Sequence, residues 1–191
     1  MLGFLGDSHC LAFTGYPGVE VRHLGAVSAY DTSGWKQSFE RHVERNPELS
    51  WVLTVGALDC RVRIYEHSIK HGVSLKQAVF TAIQPVAALL EAWVGRVDVL
   101  WYHIPPGGYQ DNYYNVEHYA SREVHQQIVD LFNVAMAVRL AHSGVSILDL
   151  VPFYWDHSTL VAPESLYEDE VHIKPDVIHK ALAEYLEAVV V

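Results

Sequence analysis

The feature that most constrains this chain is a repeated alternation. Short runs of apolar, β-branched and aromatic residues recur at 2–5, 19–24, 51–55, 97–104 and 145–151, and stretches with helical period separate most of them. Such runs, bounded by turn residues, read as five strands. The middle ones, WVLTV and VDVLWYHI, are nearly continuous in apolar character, as expected of strands covered on both faces in a parallel sheet. The helical stretches are 33–46, stopping before Pro47; 74–94, in which Pro85 should introduce a kink; 115–142, ending near Gly144; and 175–190, opened by Pro175. The order is β, short loop, β, α, β, α, β, α, β, loop, α. It predicts a three-layer α/β/α sandwich around a mostly parallel five-stranded sheet. Half of the 191 residues are hydrophobic, enough for a substantial core, so residues 1–191 are expected to form a single domain.

Charge narrows the function classes. Thirteen basic against 23 acidic residues give a formal net charge of -10, without the basic footprint of a nucleic-acid binder. Anionic membrane surfaces are disfavoured for the same reason. No apolar run approaches the ~20 residues of a spanning helix, and the N-terminus has no basic leader region. A cytoplasmic protein is expected. Its two cysteines, Cys10 and Cys60, read as buried free thiols. Its twelve histidines show no metal-binding spacing, so no metal and no cofactor are assigned.

In open sheets of this class, ligands bind beyond the carboxyl ends of the strands. That places interest on Gly-Asp-Ser-His after the first strand, LGAVSAY after the second, GALDCR after the third and HIPPGGY after the fourth. Ser8 is a weak nucleophile unless a base lies within hydrogen-bond reach and something orients that base. Asp169 and His172, three residues apart ahead of the last helix, offer such a pair. Taken singly, each motif is also ordinary turn and helix-start chemistry.

Their joint placement, with Ser8 after the first strand and Asp-x-x-His before the final helix, resembles the SGNH hydrolases, the GDSL esterase and lipase superfamily. The resemblance spans nearly the whole chain and implies a flavodoxin-like sheet and ester chemistry. It implies Ser8 as nucleophile and N–H oxyanion donor, His172 as general base and Asp169 as its orienter. It further implies Gly25, after the second strand, as a second oxyanion donor. The third block departs from the pattern Gly-x-Asn-Asp: here it is Gly56-Ala57-Leu58-Asp59, and Leu58 cannot donate a hydrogen bond.

Arg61, held by Asp59, is the candidate to fill that gap; the alternative is an Asp59–Arg61 ion pair that only supports the loop, and a third is an anion-reading role for this loop. His9 and His103 are candidate substrate contacts, or imidazoles packed beneath their loops. The loop after the fourth strand is expected to border the cleft, Tyr109, Tyr113, Tyr114 and Tyr119 either stacking on substrate or packing the loop down. The expected activity is hydrolysis of a small ester, with an acetyl or short acyl group, on a carbohydrate or metabolite. Rival readings are an acyltransferase with the same triad and a catalytically weak binding protein on the same fold. Substrate identity and oligomeric state are not legible in the sequence.

Overall fold

The structure, a computed structural model, describes residues 1–108, 119–157, 159 and 161–190. Five strands form one sheet: β1 (Leu2–Gly6), β2 (Val19–His23), β3 (Ser50–Thr54), β4 (Val99–Tyr102) and β5 (Ser146–Leu148). Their order is β2-β1-β3-β4-β5, every pairing is parallel, and β1 sits in register with both Val19–His23 and Ser50–Thr54. The helices are α1 (Lys36–Arg45), α2 (Ile64–His71), α3 (Leu75–Glu91), α4 (Arg122–Leu140) and α5 (Pro175–Val190). No helix among the described residues is long and apolar enough to cross a membrane.

Strand alternation separates two cores. Leu5, Trp51, Leu53 and Trp101 face one side, where they pack with α1, α3 and α4 through Phe39, Ile83, Leu90, Ile128 and Phe132. Their neighbours Phe4, Val52 and Tyr102 face the other side and meet Phe13 and the Ile178, Ala181 and Leu182 stripe of α5. The sheet is therefore covered on both faces, which explains its near-continuous apolar strands.

The helical segments follow local chemistry. Ser74 caps α3 in a reciprocal capping box with Gln77, and the helix runs on from Leu75 to Glu91 with Pro85 inside it. Ser121 caps α4, so this helix begins at Arg122 rather than at the expected 115; residues 115–118 lie outside the described residues. Two further departures flank the site. The link between β1 and β2 contains a 3-10 helix, Ser8–Phe13, and the segment after β3 is not a loop but a π-helical turn, Asp59–Arg63, running directly into α2.

From β1 the chain moves outward to β2, whereas from β3 it moves the other way to β4. The carboxyl ends of β1 and β3 thus flank a topological switch point, where sheets of this class hold their ligands.

Candidate active site

Gly6 delivers the chain into that crevice. A Cβ on Gly6 would lie 1.9 Å from the Thr54 carbonyl oxygen, and only a bare Cα lets the next N–H, that of Asp7, donate to the same oxygen at 2.8 Å. Asp7 then caps the 3-10 helix by accepting from His9 N at 3.1 Å, which leaves Ser8 as the first helical residue, its hydroxyl pointing to the cleft. Burial pushes the Asp7 carboxyl up to about 7, and its second oxygen has no hydrogen-bond partner among the described residues.

The segment before α5 is folded to present a histidine. Tyr167 and Ile173 form an antiparallel bridge, Glu168 N donates to His172 O at 2.8 Å, and Asp169 Oδ1 accepts from the N–H groups of Val171 and His172, each at 2.8 Å. The Asp-x-x-His spacing is thus a closed turn. Within it, Asp169 Oδ2 lies 2.7 Å from His172 Nδ1, and His172 Nε2 lies 2.8 Å from Ser8 Oγ. Although burial acts to raise the Asp169 carboxyl, its hydrogen bonds from the His172 ring and from two backbone N–H groups hold it below the usual value. A carboxylate at Nδ1 fixes the proton there and leaves the Nε2 lone pair to accept from the Ser8 hydroxyl. Serine, histidine and aspartate from opposite ends of the chain therefore share one hydrogen-bonded line.

Gly25 also lies at this edge. Leu24 N donates to Gly6 O at 2.7 Å, so Gly25 is the first residue past the β1–β2 ladder, and its φ of 87° suits glycine. Neither the Ser8 N–H nor the Gly25 N–H meets an acceptor among the described residues. Leu58, half-buried, caps the π-helical turn and offers no donor.

Asp59 departs from its expected role. It has no exposed surface, accepts from Ser28 Oγ at 2.6 Å and Ala29 N at 2.7 Å, and has Arg63, not Arg61, as its cationic neighbour at 4.0 Å. Burial still pushes its carboxyl upward despite these partners. Asp59 cannot touch substrate; it ties the π-helical turn to the loop that carries Gly25. Arg61 donates from Nε to Ala57 O at 3.5 Å and borders a narrow recess shared with His9 and Gly107, outside the lining of the Ser8 cavity.

His9 is buried with its ring 5.1 Å from that of His172, and it lines the Ser8 cavity. Burial, aided by the charge of Arg61, pushes its pKa well below the usual histidine value. His103 is not at the Ser8 cavity. It lines a different one and pairs with Asp149 at 3.2 Å. Tyr109, Tyr113 and Tyr114 lie outside the described residues. Tyr119 is described, and its ring stands edge-on to His125 with centroids 4.5 Å apart.

The cavity at Ser8 and His172 holds about 180 Å³, and most of its wall is apolar: Leu11, Ala12, Tyr102, Pro105, Ile173 and Ile178. Pro105 belongs to the HIPPGGY segment singled out after the fourth strand; the others carry no motif and were hidden in the sequence because they look like ordinary apolar positions.

No protein-family model matches the chain, and no curated protein matches it in sequence. Its structure does match solved ones. An acetyl xylan esterase, AlAXEase, aligns over 100% of both chains with a TM-score of 0.63 at 16% identity. A GDSL-like lipase from Bacteroides thetaiotaomicron aligns over 98% of this chain and 88% of its own, with a TM-score of 0.63 at 13% identity. An acetylxylan esterase from Geobacillus stearothermophilus aligns over 98% and 92%, with a TM-score of 0.61 at 14% identity. Over nearly its whole length, this chain has the α/β fold of the GDSL-type lipases and acetylxylan esterases.

Proposed function

We propose that the chain is a serine ester hydrolase of the SGNH type, cleaving a small ester with a short acyl group through a covalent acyl-enzyme. The observation that carries this reading is the continuous line Asp169 Oδ2, His172 Nδ1, His172 Nε2, Ser8 Oγ, with contacts of 2.7 and 2.8 Å. In it, His172 Nε2 takes the hydroxyl proton as Ser8 Oγ attacks the ester carbonyl, then returns that proton to the departing alkoxide. Water, activated by the same nitrogen, releases the acid and restores the serine. Asp169 stays ionised and stabilises the imidazolium.

The tetrahedral oxyanion is assigned to the N–H groups of Ser8 and Gly25. Arg61, bordering the recess behind His9, is assigned to holding that wall and not to the oxyanion. The third, side-chain donor is then absent at Leu58, and a missing donor of this kind lowers turnover about 10²- to 10³-fold. The enzyme is expected to be slow. Its apolar cavity of about 180 Å³ favours a short hydrocarbon arm next to the ester. Similarity to acetylxylan esterases agrees with small acyl groups.

A fluorophosphonate probe tests the reading directly. Labelling of the wild type that is lost in Ser8→Ala and strongly reduced in His172→Ala is the expected result, accompanied by hydrolysis of p-nitrophenyl acetate and butyrate. Equal labelling of Ser8→Ala and wild type, or no labelling of either, overturns it.

A further inference from the structure

Asp169 and His172 ride on a turn whose tip is exposed: Glu168, Asp169 and Glu170 all lie at the surface. What fixes the turn is its stem. There Tyr167 and Ile173 bridge each other, and they are only 4% and 2% exposed. Both pack into the apolar layer beneath α5, a kind of contact that is not directional. Tyr167 adds one that is. Its hydroxyl donates to the Gly107 carbonyl at 2.9 Å, with the Pro106 carbonyl at 3.1 Å sharing the same proton. Burial holds its phenol above the ordinary tyrosine value, so the donor persists at neutral pH.

The carbonyls that accept this bond are themselves held in place. Asn133, on α4, accepts from the Ile104 N–H at 2.8 Å and donates to the Ile104 carbonyl at 2.9 Å. Gln126, on the same helix, accepts from Gly107 N at 3.1 Å and is oriented by its own donation to Asp130 at 2.9 Å. The segment after β4 is thus fastened to α4 at Ile104 and at Gly107. It also meets the histidine turn without slack, since a Cβ on Gly108 would lie 2.0 Å from the Glu170 carbonyl oxygen. A continuous path therefore runs from α4 through this segment and Tyr167 to His172.

We infer that Tyr167 is a positioning residue of the active site, locking the Asp169–His172 turn to the segment after β4 so that His172 Nε2 stays within reach of Ser8 Oγ. The inference rests on the hydrolase reading of that site. Proton transfer uses the 2.8 Å contact between these two atoms, and moving a catalytic group by about 1 Å can cost about 10²-fold in rate. Without the hydroxyl, the turn keeps its internal bonds, from Glu168 N to His172 O and from the Val171 and His172 N–H groups to Asp169 Oδ1. It shifts against Ser8 as a unit. Tyr167 does not line the Ser8 cavity, and Leu11, Ala12, Tyr102, Pro105 and Ile178 of its wall lie outside the turn. Because His172 serves both acylation and deacylation, both steps slow together, and the loss falls on kcat with KM largely kept.

The test compares Tyr167→Phe, Asn133→Ala and the double variant in p-nitrophenyl acetate hydrolysis, well below the Tm of each, alongside fluorophosphonate labelling and thermal unfolding. Tyr167→Phe is expected to lower kcat about tenfold or more and to slow labelling of Ser8 to a similar degree. KM should stay within about threefold of the wild type, and Tm should fall by only about 2–4 °C. Asn133→Ala frees the segment from α4 and should lower kcat about threefold or more on its own. In the Tyr167→Phe background it should cost less than about 1.5-fold, because the path is already cut. Should Asn133→Ala fail to fold, Asn133→Asp, which keeps the acceptor and loses the donor, takes its place. The inference alone is overturned if Tyr167→Phe lowers kcat by less than about threefold, if only Tm moves, if KM rises in place of the fall in kcat, or if the two substitutions act independently. A wild type that neither labels nor hydrolyses overturns the hydrolase reading and this inference with it.

Discussion

Asp169→Asn isolates the electrostatic half of the candidate triad with little disturbance to its frame. Asp169 Oδ1 accepts from the Val171 and His172 N–H groups, and the amide oxygen of asparagine can keep both bonds. What changes is the contact at Oδ2, where an NH₂ group would face His172 Nδ1 at 2.7 Å. Two donors cannot pair, so the imidazole moves its proton to Nε2 and then donates towards Ser8 Oγ instead of accepting from it. The base is lost while the turn survives. In a buried triad this exchange costs about 10⁴-fold in kcat. Here the aspartate side chain is 55% exposed, so water can partly replace it at Nδ1, and a fall in kcat of about 10²- to 10⁴-fold is expected. The Tm should stay within about 2 °C, because an exposed side chain that keeps its backbone acceptor contributes little to stability. The assay is p-nitrophenyl acetate hydrolysis alongside thermal unfolding. Activity within tenfold of the wild type refutes the assignment of Asp169, and a large fall in Tm refutes the claim that the frame is preserved.

Two further outcomes follow from the buried carboxyls. Asp7 titrates near 7 when folded and near 3.8 when unfolded, so the folded state binds more protons between those values and loses stability as pH rises from about 4 to about 7. Asp7→Asn keeps an acceptor for His9 N–H; it should match the wild type at pH 4 and exceed it at pH 8 by up to about 4 kcal/mol in urea unfolding, and a pH-independent difference contradicts this. Asp59→Ala strips the acceptor from Ser28 Oγ and Ala29 N, a loss of about 2–4 kcal/mol that calorimetry should register as a Tm lower by about 5–15 °C, with kcat/KM at least tenfold lower as the Gly25 loop loosens; Asp59→Asn should recover most of both, and an Asp59→Ala protein with wild-type Tm contradicts the tethering role.

How much of this was legible depended on how local the cause was. The strands at Trp51 and Val99 announce themselves because burial on both faces leaves their runs nearly continuous in apolar character. Ser8, Asp169 and His172 were legible as candidates because their joint placement, after the first strand and before the last helix, resembles the SGNH pattern, and both places lie at the carboxyl edge of the sheet. The π-helical turn Asp59–Arg63 and α2 were missed because DCRVRIYEHSIKH has no clean apolar period and its N-cap position, Leu58, makes no side-chain cap; its stop, Gly72 in a left-handed conformation, was visible but had no helix to end. Asp59 was read as a partner for Arg61, two residues on, when its hydrogen-bond partners are 30 and 31 residues back. His103 was placed at a strand end, but nothing local says which cavity it lines or that Asp149 waits just past the end of β5.

The contact between His172 and Ser8 closes a span of 164 residues. A contact that distant in sequence forms only when the fold is nearly complete. On the proposed reading, catalysis is a gauge of the finished molecule: during refolding, the recovery of ester turnover should trail the return of helix and sheet signals, because a nucleophile made early would have no base until the last helix docks. The same span makes the site vulnerable to partial opening. Local unfolding of α5 and its preceding turn would silence Ser8 while most of the sheet stays intact.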